Sequence, residues 1–221
     1  MGNKISVLTG NEAELGLRLH QLTEEKNFDE IIRFFDKIHC EEGCTMAIQR
    51  FDPNSEKADE EAGARSHVII TRPEGTVYND EQPEFWRCIK IDETPEAIWQ
   101  VVLLYNLWYN LPLYWHAIYA LRTYLYKQED FEKIFENFRN HGRDLGSFNE
   151  KDYEISPKIR IDEEGKYHIT VYYWTNFGGF HRECFIVYVE KSESDTKGQI
   201  QITCTEEKCL YRYTPRPRFR L

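Results

Sequence analysis

The residues best suited to acid–base chemistry lie close to a glycine pair in the last third of the chain. His181 and Glu183 follow Gly178-Gly179 and are two positions apart in a predicted strand. Strand alternation places both side chains on one face, about 6–7 Å apart along the strand. A histidine beside a carboxylate can act as a general acid or base near neutral pH. The spacing therefore makes His181 and Glu183 a candidate catalytic pair.

A two-residue turn at Gly178-Gly179 would set the cross-strand neighbours of this pair. In that register Asn176 faces His181, and Trp174 faces Glu183. The tip of an ordinary solvated hairpin shows the same residue types. Both a catalytic and a purely structural interpretation therefore remain open for this hairpin.

Cys184 is the nearest candidate nucleophile, because it lies between the two polar residues. The same alternation directs its thiol to the opposite face, beside Tyr173 and toward the core. A Cys–His nucleophile built from Cys184 and His181 is therefore disfavoured, whichever partners the hairpin register selects.

Four of the six cysteines form two pairs that are suited to zinc. Cys40 and Cys44 are separated by three residues, and Cys204 and Cys209 are predicted to bracket a hairpin turn at Glu206-Glu207. Four thiolates suit tetrahedral zinc if the two segments meet. Both spacings are looser than the usual knuckle, and buried cysteine is common in plain cores. Zinc is thus the one cofactor the sequence suggests, and a core role for these thiols is the alternative.

The familiar catalytic signatures are absent from the sequence. It contains no P-loop, no dinucleotide-binding glycine pattern, no nucleophile elbow and no zincin helix. Their absence favours a protein that is not an enzyme.

The first half of the chain must supply helices and short strands. Asn11 and Asn27 are predicted to cap an N-terminal helical pair within residues 1–40. Short strands are predicted at 46–51, 67–71, 76–78 and 86–91. Between the first two lies an acidic, polar segment at 52–66, which is predicted to be a mobile loop.

A central apolar region is predicted to form buried, aromatic-rich helices. Thr94-Pro95 has the residues of a helix start, and an apolar stretch runs from Ile98 to Tyr126 with a break near Pro112. Polar side chains inside this stretch, Arg122 among them, disfavour a membrane span. Its aromatic residues cannot all face one core at 3.6 residues per turn, so some are expected at a pocket or an interface.

The last part of the chain is predicted to be a helix followed by a meander. The helix covers 128–141, and the strands cover 158–162, 166–176, 180–190, 199–205 and 208–213. The fold class is therefore α+β, with an antiparallel β-sheet formed mainly by the C-terminal meander. We expect one domain over 1–221, with a helical and short-strand part at 1–150 and the meander at 151–221.

The composition of the chain restricts the kinds of molecule that the protein is expected to bind. The chain carries 38 acidic and 28 basic residues, a formal net charge of −10. This balance argues against general nucleic-acid binding, which depends on basic residues. The first residues lack the apolar stretch of a secretory signal, so we expect a cytoplasmic protein with free thiols. Met1-Gly2 begins a myristoylation pattern, and this alternative stays open.

Acidic and aromatic character together predict a cytoplasmic protein-binding module. An inhibitor or immunity-type protein that covers the basic site of a partner would fit, because opposite charge speeds association and aromatic anchors slow dissociation. The expected contact residues are Asp59, Glu60, Glu61, Trp108, Trp115 and Trp174.

Two other functions remain open. The first is a small-molecule-binding or hydrolytic enzyme domain, with a pocket between the aromatic helix and the sheet and with His116, His181 and Glu183 as its polar groups. The second is a homodimer formed through the aromatic segment.

Overall fold

The structure is a computed structural model that describes residues 5–7, 10–50, 66–79, 83–92, 94–107, 109, 111, 122–140, 153–155, 157–175, 178–192 and 195–212. Several predicted features lie outside these residues. They are the Gly2 pattern, most of the acidic loop with Asp59, Glu60 and Glu61, the aromatic residues Trp108 and Trp115, the break at Pro112, His116 and Asn176.

The helices of the described residues are α1 (Gly10–Glu24), α2 (Phe28–Phe34), α3 (Glu84–Arg87), α4 (Pro95–Leu107) and α5 (Gln128–Asn140). Helix α4 begins where the sequence predicts, because the Thr94 hydroxyl oxygen accepts a hydrogen bond from the backbone N–H of Ala97 at 3.2 Å. Most of its side chains are buried, as the apolar run predicted. Within the described residues no helix has the length and apolar character needed to cross a membrane.

The strands are β1 (Ile5–Val7), β2 (Ile38–Cys40), β3 (Thr45–Gln49), β4 (His67–Arg72), β5 (Gly75–Tyr78), β6 (Ile89–Ile91), β7 (Thr123–Leu125), β8 (Lys158–Ile161), β9 (Tyr167–Thr175), β10 (Gly179–Ser192) and β11 (Asp195–Tyr211). They form a six-stranded sheet, a three-stranded sheet β3-β4-β5 and the pair β2-β6. Neighbouring strands in these three sheets run antiparallel throughout.

The large sheet confirms the α+β class and the C-terminal meander. Its order is β1-β8-β9-β10-β11, and β7 pairs with the remaining length of the β9 edge that β8 leaves free. Strand β1 comes from the start of the chain, so the sheet also contains strands from outside the meander.

The two faces of this sheet cover different cores. Val171, Tyr173 and Phe185 belong to a large core that also contains residues of α1, α2 and α4. Trp174 and Phe180 belong to a smaller core under α5. Because side chains alternate along a strand, the two sets point to opposite faces of the sheet.

Several predicted element boundaries were wrong. The second N-terminal helix ends at Phe34, and Ile38 is buried in β2, since a strand can bury an apolar residue that also fits helical spacing. The predicted strand 86–91 divides into α3 and β6. Tyr124 lies in β7 rather than in a helix.

The predicted turn at Glu206-Glu207 was also wrong, because β11 is one strand through these residues. Glu206 receives hydrogen bonds from the Arg182 guanidinium at 2.7 and 3.1 Å, which holds it beside the neighbouring strand β10. A register shift beside Cys184 accommodates an extra residue in β11. Cys204 and Cys209 therefore lie along one strand instead of flanking a turn.

Candidate functional site

His181 and Glu183 share one face of β10, as predicted. The observed register pairs His181 with Tyr173 and Glu183 with Val171 on β9. This register is shifted by three residues along β9 from the predicted register, in which His181 faced Asn176. Gly179 has a φ of 89° and pairs with Thr175 as the first residue of β10, so it is not part of a two-residue turn. The predicted neighbour of Glu183, Trp174, consequently lies on the other face.

Glu183 forms a buried ion pair with Arg122, the residue directly before β7. Arg122 Nη1 donates to Glu183 Oε1 at 2.6 Å, and the two side chains are only 8% and 4% exposed. Arg122 Nη2 lies 3.7 Å from an oxygen of Glu207 on β11, whose side chain is 52% exposed. One guanidinium thus faces two carboxylates. We call Arg122, Tyr173, Glu183 and Glu207 the Arg122 centre.

Aromatic rings enclose the guanidinium. Its central carbon lies 3.6 Å from the centroid of the Tyr109 ring and 4.3 Å from that of Tyr173. The Tyr173 hydroxyl donates to Glu207 at 2.6 Å. The two ring contacts provide cation–π attraction for Arg122. The hydrogen bond from the Tyr173 hydroxyl fixes the position of the Glu207 carboxylate.

The electrostatics of the Arg122 centre reflect its burial. Burial raises the pKa of Glu183, and the nearby guanidinium of Arg122 opposes that rise. Burial alone would lower the pKa of Arg122, but Tyr124, Glu183 and Tyr173 outweigh it and raise that pKa. The guanidinium therefore stays protonated, and its charge is what makes a buried carboxylate tolerable here.

His181 does not form the predicted pair with Glu183. Its ring stacks on Tyr173 with centroids 4.9 Å apart and planes 4° apart. The His181 ring contacts the backbone of Gly178, which acts to raise the pKa of the ring. In the part of the chain that the structure describes, neither ring nitrogen meets the full geometry of a hydrogen bond, and Glu183 Oε2 has no hydrogen-bond partner. Burial lowers the pKa of His181, which favours the neutral ring. The carboxylate that was expected to orient the ring is bound to Arg122 instead.

Cys184 points away from His181, as predicted, but its predicted neighbour was wrong. It faces Thr170 on β9, not Tyr173, with 3.8 Å between sulfur and hydroxyl. Its sulfur lies 3.5 Å from Glu206, and burial raises its pKa. A thiol with a raised pKa is a poor nucleophile.

The four cysteines considered for zinc do not assemble. Cys40 ends β2 and Cys44 precedes β3, whereas Cys204 and Cys209 lie on β11. Cys209 is exposed, and its thiol lies 3.6 Å from the carbonyl oxygen of Gly178. Within the described residues no three His, Cys, Asp or Glu side chains are arranged to hold a metal ion.

Trp174, which was predicted to be a binding anchor, is a core residue. It is 3% exposed, and its ring packs against Phe135, Phe138 and Tyr211. It therefore offers no surface to a partner. The other predicted contact residues, Asp59, Glu60, Glu61, Trp108 and Trp115, lie outside the described residues.

Arg122, the central residue of the site, was not among the predicted site residues. Arg122 is the only Asp, Glu, Lys or Arg between Ile98 and Tyr126. A single charge in an apolar run must find a partner when the run is buried. The lone charge in this run disfavours a membrane span, and it also indicates that Arg122 is one half of a buried ion pair.

No family model, curated protein or solved structure matches this chain. Its function must therefore be inferred from the geometry of the Arg122 centre and its surroundings.

Proposed function

We propose that this protein is a binding module that engages a basic protein partner, and that the Arg122 centre accepts a cationic side chain of that partner. One observation carries the proposal. Two carboxylates, Glu183 and Glu207, face the single guanidinium of Arg122, and Glu207 is half exposed. The centre has one negative charge in excess at the surface of the hairpin β10–β11.

Glu207 is the carboxylate with capacity for a further cation. Glu183 makes the short contact with Arg122, at 2.6 Å, whereas Glu207 lies 3.7 Å from the guanidinium. The Tyr173 hydroxyl holds Glu207 in place, so little side-chain entropy would be lost when a cation binds. An ammonium or guanidinium at Glu207 would neutralise the excess charge.

The charge of the whole chain supports the same partner class. A net charge of −10 attracts a basic protein over a distance of about 10 Å at moderate salt and speeds encounter. An inhibitor or immunity-type protein that covers the cationic site of a toxin or nuclease would work in this way. Asp59, Glu60 and Glu61 would add to the same attraction.

The test compares two neighbouring glutamates of β11. The probe is a fluorescein-labelled poly-arginine peptide, and its affinity is measured by anisotropy at low and high salt. E207Q removes a charge from the Arg122 centre, whereas E206Q removes one from the opposite face of the strand, where Glu206 pairs with Arg182. We expect E207Q to weaken binding about tenfold and E206Q to change it by less than about twofold. Equal losses would show that binding follows net charge alone and would refute the proposed site.

A second candidate function is a site for a small polar ligand, and one observation favours it. Both ring nitrogens of His181 and Glu183 Oε2 are buried without an acceptable hydrogen bond in the described chain. A ligand with matching donors and acceptors would satisfy them. A saturable rise in melting temperature with agmatine, a small guanidinium compound, that H181Q removes would support this candidate. A rise that E207Q removes and H181Q preserves would favour the first proposal.

A further inference from the structure

Two cysteines outside the Arg122 centre, Cys44 and Cys88, lie close together at the starts of two strands. Cys44 directly precedes β3, and Cys88 directly precedes β6. The backbone N–H of Glu41 donates to the carbonyl of Cys88 at 2.9 Å, and the N–H of Cys44 donates to the carbonyl of Glu41 at 2.9 Å. This turn folds the chain back after β2 and places Cys44 beside Cys88, close enough for the neighbouring thiol to help raise the pKa of Cys88.

The two thiols differ in exposure. Cys88 is 5% exposed, and its sulfur also lies 3.6 Å from the carbonyl oxygen of Glu84. Cys44 is half-buried, so solvent reaches it more readily. Burial, with a further contribution from Cys44, raises the pKa of Cys88, and the nearby charge of Arg72 opposes that rise only in part. Cys44, the more accessible thiol, is therefore the one that an oxidant meets first.

We propose that Cys44 and Cys88 are a dithiol that a hydroperoxide converts into a disulfide. The Cys44 thiolate attacks the terminal peroxide oxygen, the O–O bond breaks, and the leaving oxygen takes a proton to become an alcohol or water. Cys44 is then a sulfenic acid. The sulfur of Cys88 attacks the sulfur of Cys44, the S–O bond breaks, and the hydroxyl leaves as water with the proton of Cys88. Two thiols lose two electrons, and one peroxide gains them.

The disulfide would join two sheets that are otherwise separate. It would link the residue before β3 to the residue before β6, and thereby the three-stranded sheet to the pair β2-β6. The closed loop would contain β3, β4, β5 and α3, together with the segment 52–66. A crosslink of this kind restricts the unfolded chain and raises stability when the native geometry accommodates it.

Peptide mapping of the full chain tests this inference. The reduced protein is treated with hydrogen peroxide, alkylated, digested without reductant and analysed by mass spectrometry. The expected product is a crosslink between Cys44 and Cys88, with a higher melting temperature than the reduced protein. C40S and C209S should form the same crosslink, because neither supplies a thiol to it, and C44S should form none.

Three results would overturn the inference. A dominant crosslink of Cys40 to Cys44, or of Cys40 to Cys88, would show that the reactive dithiol is a different pair from the proposed one. Oxidation of Cys44 to sulfinic or sulfonic acid with Cys88 still alkylated would show that the second thiol does not reach the first. Because the mapping is done on the unmutated chain, its outcome does not depend on whether C44S folds.

Discussion

Arg122 Nη1 lies 2.6 Å from Glu183 Oε1, and the two residues are 61 positions apart in the chain. The contact joins the residue before β7 to the middle of β10, across the intervening strand β9. Both side chains are almost completely buried. Each of these charges would be costly to bury alone, and the ion pair compensates that cost. Removing one partner should therefore lower the free energy of unfolding more than removing both.

Arg122→Met should therefore lower the free energy of unfolding by about 3–5 kcal/mol, because Glu183 would remain buried with its charge uncompensated. Urea unfolding would measure the loss. The double variant R122M/E183L should recover most of it. Arg182→Met is the matched control: its pair with Glu206 is at the surface, and breaking it should cost less than about 1 kcal/mol. A double variant as unstable as R122M would contradict this explanation.

Gly16→Ala should destabilise the contact between α1 and the residue after β7. A Cβ at Gly16 would lie 2.0 Å from the Tyr126 ring carbon Cζ, and Tyr126 is buried, so the ring has little room to move. Overpacking of this kind costs about 1–3 kcal/mol. Leu17→Ala is the control, since Leu17 is the adjacent residue and is 37% exposed. Equal melting temperatures for G16A and the unmodified protein would disprove the close packing.

The sequence predicted well the helices and strands that are recognised from the local spacing of apolar residues. Helix α5 buries Phe131, Phe135 and Phe138 at helical spacing, and its bounds differ from the prediction by one residue at the C-terminus. The long strands β9 and β10 likewise followed their apolar alternation. Local spacing determines such elements because one face of each is buried along its whole length.

Pairing between distant segments could not be read in the same way. The Gly178-Gly179 dipeptide suggested one register, but the pairing of Gly179 with Thr175 selected another and moved Trp174 to the core under α5. Nothing near Arg122 in the sequence indicates that its partner is Glu183. The register of two strands and the partner of a buried charge depend on which faces are buried together in the folded chain. Local residue spacing does not show this.

Cys204 should react slowly with iodoacetamide. Burial, with a further contribution from the charge of Glu183, raises its pKa to about 11. At pH 8 about one thiol in a thousand would then be ionised, and the thiolate is the reactive form. Cys209 is exposed and should be alkylated first. Mass mapping of a time course at pH 8 would check this order, and early labelling of Cys204 in the folded protein would contradict it.

His181 should make the protein less stable as the pH falls. Burial lowers its pKa in the folded state below the ordinary value of 6.5, whereas the unfolded chain retains that value. The unfolded state therefore binds the proton more tightly, so the stability contributed by the neutral ring is complete above about pH 6.5 and is lost as the pH falls toward the folded pKa. Glu183 acts in the opposite direction at lower pH, since its pKa is raised in the folded state.

The H181Q variant isolates the contribution of the ring. The difference in unfolding free energy between the unmodified protein and H181Q should be constant above about pH 7 and should change as the pH falls below about 6.5, because glutamine does not titrate. An NMR titration of the ring protons, assigned by their absence in H181Q, should place the midpoint below that of an exposed histidine. A midpoint at or above about 6.5 would contradict the lowered pKa and would show that burial does not dominate the environment of the ring.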